Sequence, residues 1–141
     1  MIVLFFLNLY NETLYSGPFS LHQWRQADCL SIAKNYFENG MHFFRPEIHS
    51  LRAPEGKAVS EFPLINYSVA ALWKIFGEHD FIYKLLEYFI YLAAIFTLFN
   101  TFLRNYDLIM LGFFMVTVLL TSPLLTYYSY NFLSDVPAFS F

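Results

Sequence analysis

Three acidic residues are the candidates for chemistry in this sequence: Asp28, Glu61 and Asp135. Asp28 falls between apolar residues on one face of a predicted helix, where an unpaired carboxylate costs desolvation free energy. Asp135 follows a long uncharged stretch, and an ionisable residue at membrane depth is a functional candidate by default. Glu61 stands where a polar loop meets an apolar helix. Each residue is therefore a candidate for a catalytic role.

Each of these carboxylates also has a structural interpretation. Asp28 can form an ion pair with Arg25 at i,i+3 spacing. Asp135 can cap the helix that follows it, since Pro137 fits a first turn. Glu61 can complement the dipole of the helix after it. The residues alone leave both interpretations open for all three.

The composition argues against an ordinary soluble protein. Of the 141 residues, 57% are hydrophobic and 13% are charged, whereas soluble domains carry about 25% charged residues. The net charge of −3 offers no basic surface for nucleic acid. A single cysteine, Cys29, excludes an internal disulfide framework and a cysteine-based structural zinc site, and we interpret it as a small apolar residue. No two histidines have the i,i+4 spacing of a helical zinc site.

Two stretches are long and apolar enough to span a membrane, residues 81–103 and 108–125. Lys84 and Glu87 lie in the first turns of the first span, where they can pair with each other or extend to the interface. The link between the spans is short, so we expect an antiparallel hairpin whose Arg104 favours the cytoplasmic side. The second span ends at a tyrosine belt typical of a membrane–water interface, formed by Tyr127, Tyr128 and Tyr130.

Both ends of the sequence suggest a fragment of a longer membrane protein. Residues 1–10 are apolar but too short to cross, and we interpret them as the end of a first span. Residues 135–141 resemble the start of another apolar helix. We therefore expect residues 1–141 to be the N-terminal part of one membrane domain.

The polar part of the chain, residues 11–80, is predicted to be an extracytoplasmic loop with amphipathic helices beside the membrane. Ser20 and Gln23 form a capping-box pattern, and Gly40 supplies a stop. Residues 62–77 form a second helix that is short for a span, so we expect it to lie on the membrane rather than across it. The apolar face of the first helix comprises Leu21, Trp24, Ile32 and Tyr36.

The predicted fold class is therefore all-α, a polytopic membrane helical bundle with an extracytoplasmic loop that carries amphipathic juxtamembrane helices. The number of crossings decides whether the acids can share a site. If residues 62–77 do not cross, two spans separate Asp28 from Asp135, and both acids lie on one side of the membrane, opposite Arg104. If residues 62–77 do cross, the two acids face opposite compartments.

Short motifs follow one another in a fixed order along the chain. They are His22-Gln-Trp-Arg-Gln-Ala-Asp28, Ile32-Ala-Lys-Asn-Tyr36, Gly40, Glu61-Phe-Pro-Leu64, Phe76-Gly77, Ser122-Pro123 and Asp135-Val-Pro137. This ordered series, with its hydropathy, resembles the N-terminal part of C-type integral membrane glycosyltransferases. The resemblance is to the branch of protein mannosyltransferases and aminoarabinose transferases, and it runs from about Gly17 to the end of the chain.

The resemblance implies an activity and roles for the three acids. These enzymes transfer a sugar from a polyprenyl-phosphate carrier to a protein, glycan or lipid acceptor outside the cytoplasm. Asp28 matches their essential acid and would act as the catalytic base, with inversion at the sugar. Asp135 matches a second acid, which would orient the acceptor or bind a metal. Glu61 matches an acid that lines the site and contributes to a metal site in some members.

Two departures from the family pattern concern the substrate. Cys29 stands where many members have the Glu of an Asp-Glu pair, and Phe62 stands where many have the lysine of Glu-Lys-Pro. That lysine is an obvious contact for the carrier phosphate, and the basic residues that could replace it are Arg25, Lys34, Lys74 and Lys84. Our candidates for substrate binding are Arg25, Lys84 and Glu61.

The resemblance also implies partners and a location. The partners would be the lipid-linked sugar donor, membrane lipids and the acceptor, and not nucleic acid. No cofactor is firmly implied, and a divalent metal at Glu61 or Asp135 is an open alternative. We expect an integral protein of the plasma (inner) membrane with its site outside the cytoplasm, inactive as this fragment alone. The alternative from another class is a non-catalytic small membrane subunit or a piece of a transporter.

Overall fold

The computed structural model describes residues 15–18, 22–48, 63–104 and 108–140. These ranges fold into helices, and no residue in them belongs to a β-strand, so the predicted all-α class is confirmed for this part of the chain. The interpretations of residues 1–10 and of Glu61 lie outside the described residues. The helices are α1 (Gln23–Asn39), α2 (Leu64–Phe76), α3 (Asp80–Leu103), α4 (Ile109–Thr121), α5 (Pro123–Ser129) and α6 (Asp135–Ser140).

Helix α1 starts later than its predicted cap. Its N-cap is His22, in the left-handed conformation with φ 60°, and the Gln23 side chain donates from Nε2 to the carbonyl oxygen of Pro18 at 3.1 Å. Gln23 is thus the first helical residue instead of the third, and the predicted capping box is wrong. Ser20 lies outside the described residues. The predicted stop is confirmed, since Gly40 is the C-cap with φ 104°, a conformation that favours glycine.

The buried face of α1 differs from the predicted face at its first turn. Ile32 and Tyr36 are buried as predicted, but Trp24 is 70% exposed. The buried stripe instead passes through Gln26 and Cys29. Gln26 lies about 200° around the helix axis from Trp24, because each residue turns an α-helix by about 100°. The interpretation of Cys29 as a small apolar residue is confirmed by its place in the main hydrophobic core.

Helix α2 lies between α1 and α3. Its buried face includes Val69 and Trp73, which join Cys29 and Ala33 of α1 and Tyr83 of α3 in one core cluster. Its 13 residues extend about 20 Å, which is shorter than the hydrocarbon core of a bilayer. The helix therefore supports the other two rather than forming a span by itself, and its position on a membrane surface stays a prediction.

Helix α3 is long and apolar enough to cross a membrane, and it alone among the described helices meets that standard by itself. Its 24 residues extend about 36 Å. Phe89 and Phe96 lie on its outer face with 59% and 65% of their surface exposed. Large apolar side chains on an outward face are typical of contact with lipid, so the helix indicates membrane association.

The two charged residues in the first turns of α3 face inward. Lys84 and Glu87 are both fully buried and form no ion pair with each other, so the predicted pairing is wrong, whereas their extension to a membrane interface stays a prediction. The Lys84 ammonium donates to the carbonyl oxygen of Ser16 at 2.7 Å and lies 4.9 Å from the centre of the Phe132 ring. This end of α3 is covered by other segments of the chain, which keeps both side chains from solvent.

The predicted span 108–125 is not one continuous helix. Helix α4 ends at Thr121, α5 starts at Pro123, and the two axes meet at 64°. Proline lacks a backbone N–H and is suited to the first position of a new helix, so Ser122-Pro123 breaks the segment. The pair is long and apolar enough to span a membrane only when it is counted as one broken span.

Helices α3 and α4 pack side by side, as the predicted hairpin requires. A Cβ atom built on Gly112 would lie 2.6 Å from the Cβ atom of Phe102. The Phe99 and Phe113 rings meet edge to face at 5.0 Å. The close approach depends on glycine at this position, since no other residue fits without a shift. After α5 the chain continues into α6, which packs against α3 and whose first residue is Asp135.

Candidate active site

An ion pair joins the first helix of the described chain to the last. The Arg25 guanidinium donates from Nη1 to Oδ2 of Asp135 at 3.1 Å and from Nη2 to Oδ1 at 3.0 Å. The planar guanidinium matches both carboxylate oxygens, which makes such paired contacts stronger and more directional than a single one. The alternative Arg25–Asp28 ion pair is not formed. The pair therefore fixes the N-terminal end of α1 against the start of α6.

Asp28 lies about one turn after Arg25 on α1 and has a different environment. Its carboxylate is half-buried, and no described residue donates a hydrogen bond to it or pairs with its charge. Its backbone carbonyl oxygen accepts a hydrogen bond from Oγ of Ser31 at 2.8 Å. That contact involves the backbone, so no described group neutralises the charge of the Asp28 carboxylate.

Asp135 does not occupy the helix N-cap position that the sequence suggested for it. It is the first residue of α6, and the backbone N–H of Ala138 donates to the carbonyl oxygen of Ser134 at 3.0 Å. Ser134 therefore occupies the cap position, while the Asp135 carboxylate is held by Arg25. Since its side chain is 43% exposed, Asp135 remains accessible from outside the helix packing.

The pKa of the Cys29 thiol is shifted by burial and by four charged groups around it. Burial raises the pKa of its thiol from an ordinary 9.0 to about 12, and the negative charge of Glu87 adds to the rise. Asp28 and Asp135 raise the same pKa further, whereas the Arg25 guanidinium lowers it. All four charges therefore lie near one thiol, and the structure brings Asp28 and Asp135 to the same end of the molecule.

Glu87 is the residue of this cluster that the sequence interpretation missed. Its side chain is fully buried beside the backbone of Leu133, and no described side chain pairs with its carboxylate. An acid within an apolar span is itself a signal of function, and that signal was available in the sequence. The position three residues after Lys84 suggested an ion pair instead, which the fold does not form.

A second polar contact lies beside the ion pair. Gln26, fully buried on α1, donates from Nε2 to the hydroxyl oxygen of Tyr127 on α5 at 3.4 Å. The side chain of Asn131 donates to the carbonyl oxygen of Tyr127 at 2.6 Å. Tyr127 thus contacts the site side of α1, although the sequence placed it in an interfacial belt.

The other predicted site residues are not seen in this cluster. Lys84 is buried against Ser16 and Phe132, and Glu61 lies outside the described residues. Within the described ranges, no group of three or more His, Cys, Asp or Glu side chains is arranged to hold a metal ion. The alternative of a divalent metal at Glu61 or Asp135 therefore stays a prediction.

Comparisons of this chain with models of known protein families, with curated proteins and with solved structures give no match.

Proposed function

We propose that this chain forms the N-terminal part of a C-type membrane glycosyltransferase, which moves a sugar from a polyprenyl-phosphate donor to an acceptor outside the cytoplasm. The observation that carries the proposal is the arrangement at the N-terminal end of α1. Arg25 holds Asp135 through both carboxylate oxygens, while Asp28 about one turn away has no such partner in the described chain. One acid is fixed and its neighbour is available for proton transfer.

The chemistry follows from these two environments. Asp28 takes the proton of the acceptor hydroxyl as its oxygen attacks the anomeric carbon of the donor sugar. The bond between that carbon and the carrier phosphate oxygen breaks, and the phosphate leaves with the bonding electron pair. Attack from the opposite face inverts the configuration at the sugar. Asp135 orients the acceptor beside Asp28.

Arg25 is the cation best placed for the carrier phosphate. A guanidinium has five N–H donors, so Arg25 can hold Asp135 through two of them and donate to a phosphate oxygen through another. Its side chain is 31% exposed, whereas Lys84 is fully buried. In this proposal Arg25 therefore substitutes for the lysine that the sequence lacks at Phe62, and Lys84 does not contact the substrate.

The ion pair also bears on the membrane arrangement that we propose. Arg25 and Asp135 are in contact, so both belong to one compartment. If α3 crosses the membrane, the chain must cross again before Asp135. The segment between them is the bent pair α4–α5. We therefore interpret that pair as a broken span in a polytopic bundle, rather than as a loop that enters and leaves on one side.

The two helices that carry the acids then lie outside the cytoplasm. Helix α2 is too short to cross the membrane by itself. The number of membrane crossings between Asp28 and Asp135 therefore stays even. A polyprenyl tail stays in the bilayer and its phosphate stays at the interface, so the reaction must occur at that depth. Acids on one face of a membrane meet this requirement, and the family resemblance makes the plasma (inner) membrane the location that we propose.

The test is sugar transfer by the full-length protein reconstituted in liposomes with a labelled polyprenyl-phosphate sugar. We expect Asp28→Asn to lower the transfer rate by about 10²–10⁴-fold, because asparagine has nearly the shape of aspartate but cannot act as a base. The matched control is Glu38→Gln, which neutralises an exposed acid near the other end of α1. Undiminished transfer by Asp28→Asn would refute the assignment of the base.

A non-catalytic membrane subunit or transporter piece remains the second candidate, and the Arg25–Asp135 pair is the observation that favours it. A paired arginine and aspartate can serve to hold two helices together without any reaction. This candidate predicts that Asp28→Asn and wild type behave alike in the host cell, and that no preparation transfers sugar.

A further inference from the structure

A polar pocket lies at the C-terminal end of α1, away from the acids. It encloses about 70 Å³ between the last turns of α1 and the loop 41–48. Asn39 is 11 residues after Asp28, so the pocket is about 16 Å farther along the helix axis. The lining residues are Asn35, Tyr36, Asn39, Gly40, His42, Arg45 and Glu47.

Two opposite charges face this pocket without neutralising each other. Arg45 and Glu47 both line it, and neither forms an ion pair with the other or with another residue of the described chain. Arginine offers donors only, and a carboxylate offers acceptors only. A ligand between them must therefore accept hydrogen bonds on one side and donate them on the other.

The inner wall of the pocket is held in place by hydrogen bonds. The Asn35 side chain donates to the carbonyl oxygen of Glu47 at 2.7 Å, and the Tyr36 hydroxyl donates to the carbonyl oxygen of Phe43 at 2.8 Å. The Asn39 side chain donates to Oδ1 of Asn35 at 3.3 Å. Since Asn35 and Tyr36 are buried, the loop is fixed to α1 and the pocket is formed before any ligand arrives.

We infer that this pocket binds a pair of neighbouring hydroxyl groups on a pyranose sugar. Each sugar hydroxyl both accepts and donates, so one pair can accept from the Arg45 guanidinium and donate to the Glu47 carboxylate. The volume suits the edge of a ring rather than a whole hexose.

The pocket lies too far from Asp28 to hold the sugar that is transferred. It would hold a different unit, such as one in a glycan that extends along α1. This inference goes beyond the proposed transferase activity, because saccharide binding is measurable whether or not any sugar is transferred.

The experiment is saturation-transfer NMR on the purified full-length protein with methyl glycosides of mannose, glucose and galactose. The detergent must carry neither a sugar nor a zwitterionic headgroup, so a polyoxyethylene detergent is used. We expect at least one methyl glycoside to bind. Arg45→Ala and Glu47→Gln should each weaken that binding by about tenfold, since each removes hydrogen bonds to a charged group. Arg104→Ala, which removes an exposed cation after the last residue of α3, should leave binding unchanged.

Three results would overturn the inference. One is the absence of saturation transfer to every methyl glycoside by the wild-type protein. Another is equal binding by wild type and both pocket variants. The third is binding of free glycine that depends on Arg45 and Glu47 while no glycoside binds, which would make the ligand a zwitterion. Because Arg45 is exposed and Glu47→Gln keeps the backbone acceptor of Asn35, both variants are expected to fold.

Discussion

Arg25 and Asp135 are 110 residues apart in the chain and share two hydrogen bonds. This contact brings the first helix of the described chain against the last, and it places Asp28 beside the pair. Neither partner is deeply buried, since their side chains are 31% and 43% exposed. The pair therefore positions groups more than it stabilises the fold, because solvent screens much of its attraction.

A double-mutant cycle on this pair measures its contribution to stability. We expect Arg25→Ala and Asp135→Ala, compared with the double variant, to give a coupling free energy of about 1 kcal/mol, the upper range for exposed pairs, because the contact is two-pronged. The measurement is chemical unfolding in detergent, followed by circular dichroism. A coupling free energy of zero would mean that the two side chains do not interact in solution.

The carboxylate of Asp28 should matter for activity and not for stability. It has no hydrogen-bond or ion-pair partner in the described chain, so Asp28→Asn should change the unfolding free energy by less than about 0.5 kcal/mol. Asp135→Asn should lower both stability and transfer, since it weakens the contact with Arg25. A large loss of stability in Asp28→Asn alone would show that Asp28 has a structural role.

The packing of α3 on α4 depends on one glycine. Gly112→Ala should destabilise the protein by about 1–3 kcal/mol, because the added Cβ would lie 2.6 Å from the Cβ atom of Phe102. The control is Gly17→Ala, where nothing lies within 4 Å of the added atom. Thermal unfolding of both variants provides the comparison. Equal unfolding temperatures would contradict the close approach of the two helices.

Cys29 should resist alkylation in the folded protein. Burial raises the pKa of its thiol to about 12, so at pH 8 the reactive thiolate is about a thousandfold scarcer than for a thiol of ordinary pKa. The raised pKa also favours the folded state fully below pH 9.0, and this contribution is lost as pH rises from there towards about 12. Iodoacetamide labelling followed by mass spectrometry tests this, with labelling in sodium dodecyl sulfate as the unfolded reference. Labelling at the unfolded rate would show that Cys29 is not in the core.

Several features of the fold follow from local sequence signals. Gly40 ends α1 because its positive φ of 104° suits glycine. Helix α3 could be predicted from the hydropathy of its long apolar run alone. The break between α4 and α5 was marked by Ser122-Pro123 but was interpreted as the end of a span. The same dipeptide can end a span or separate two helices. Which of these occurs depends on what the following residues pack against.

The candidate site was harder to predict because its contacts are distant in the chain. Arg25 has an acid at i+3, which local spacing favours, yet the fold supplies Asp135 in a better two-pronged geometry. Lys84 and Glu87 were expected near an interface, and both are buried by segments far away in sequence. Spacing along a helix shows which residues can meet, but tertiary packing decides which of them do.

The central claim is that Asp28 and Asp135 serve one site in one compartment, and labelling of single cysteines tests it most directly. Cys29→Ala provides the background, and Asp28→Cys, Asp135→Cys and Arg104→Cys are each added to it for treatment with a membrane-impermeant maleimide in intact cells. We predict that positions 28 and 135 are labelled from outside and that position 104 is labelled only after permeabilisation. Labelling of positions 28 and 135 from opposite sides would contradict a shared sugar-transfer site.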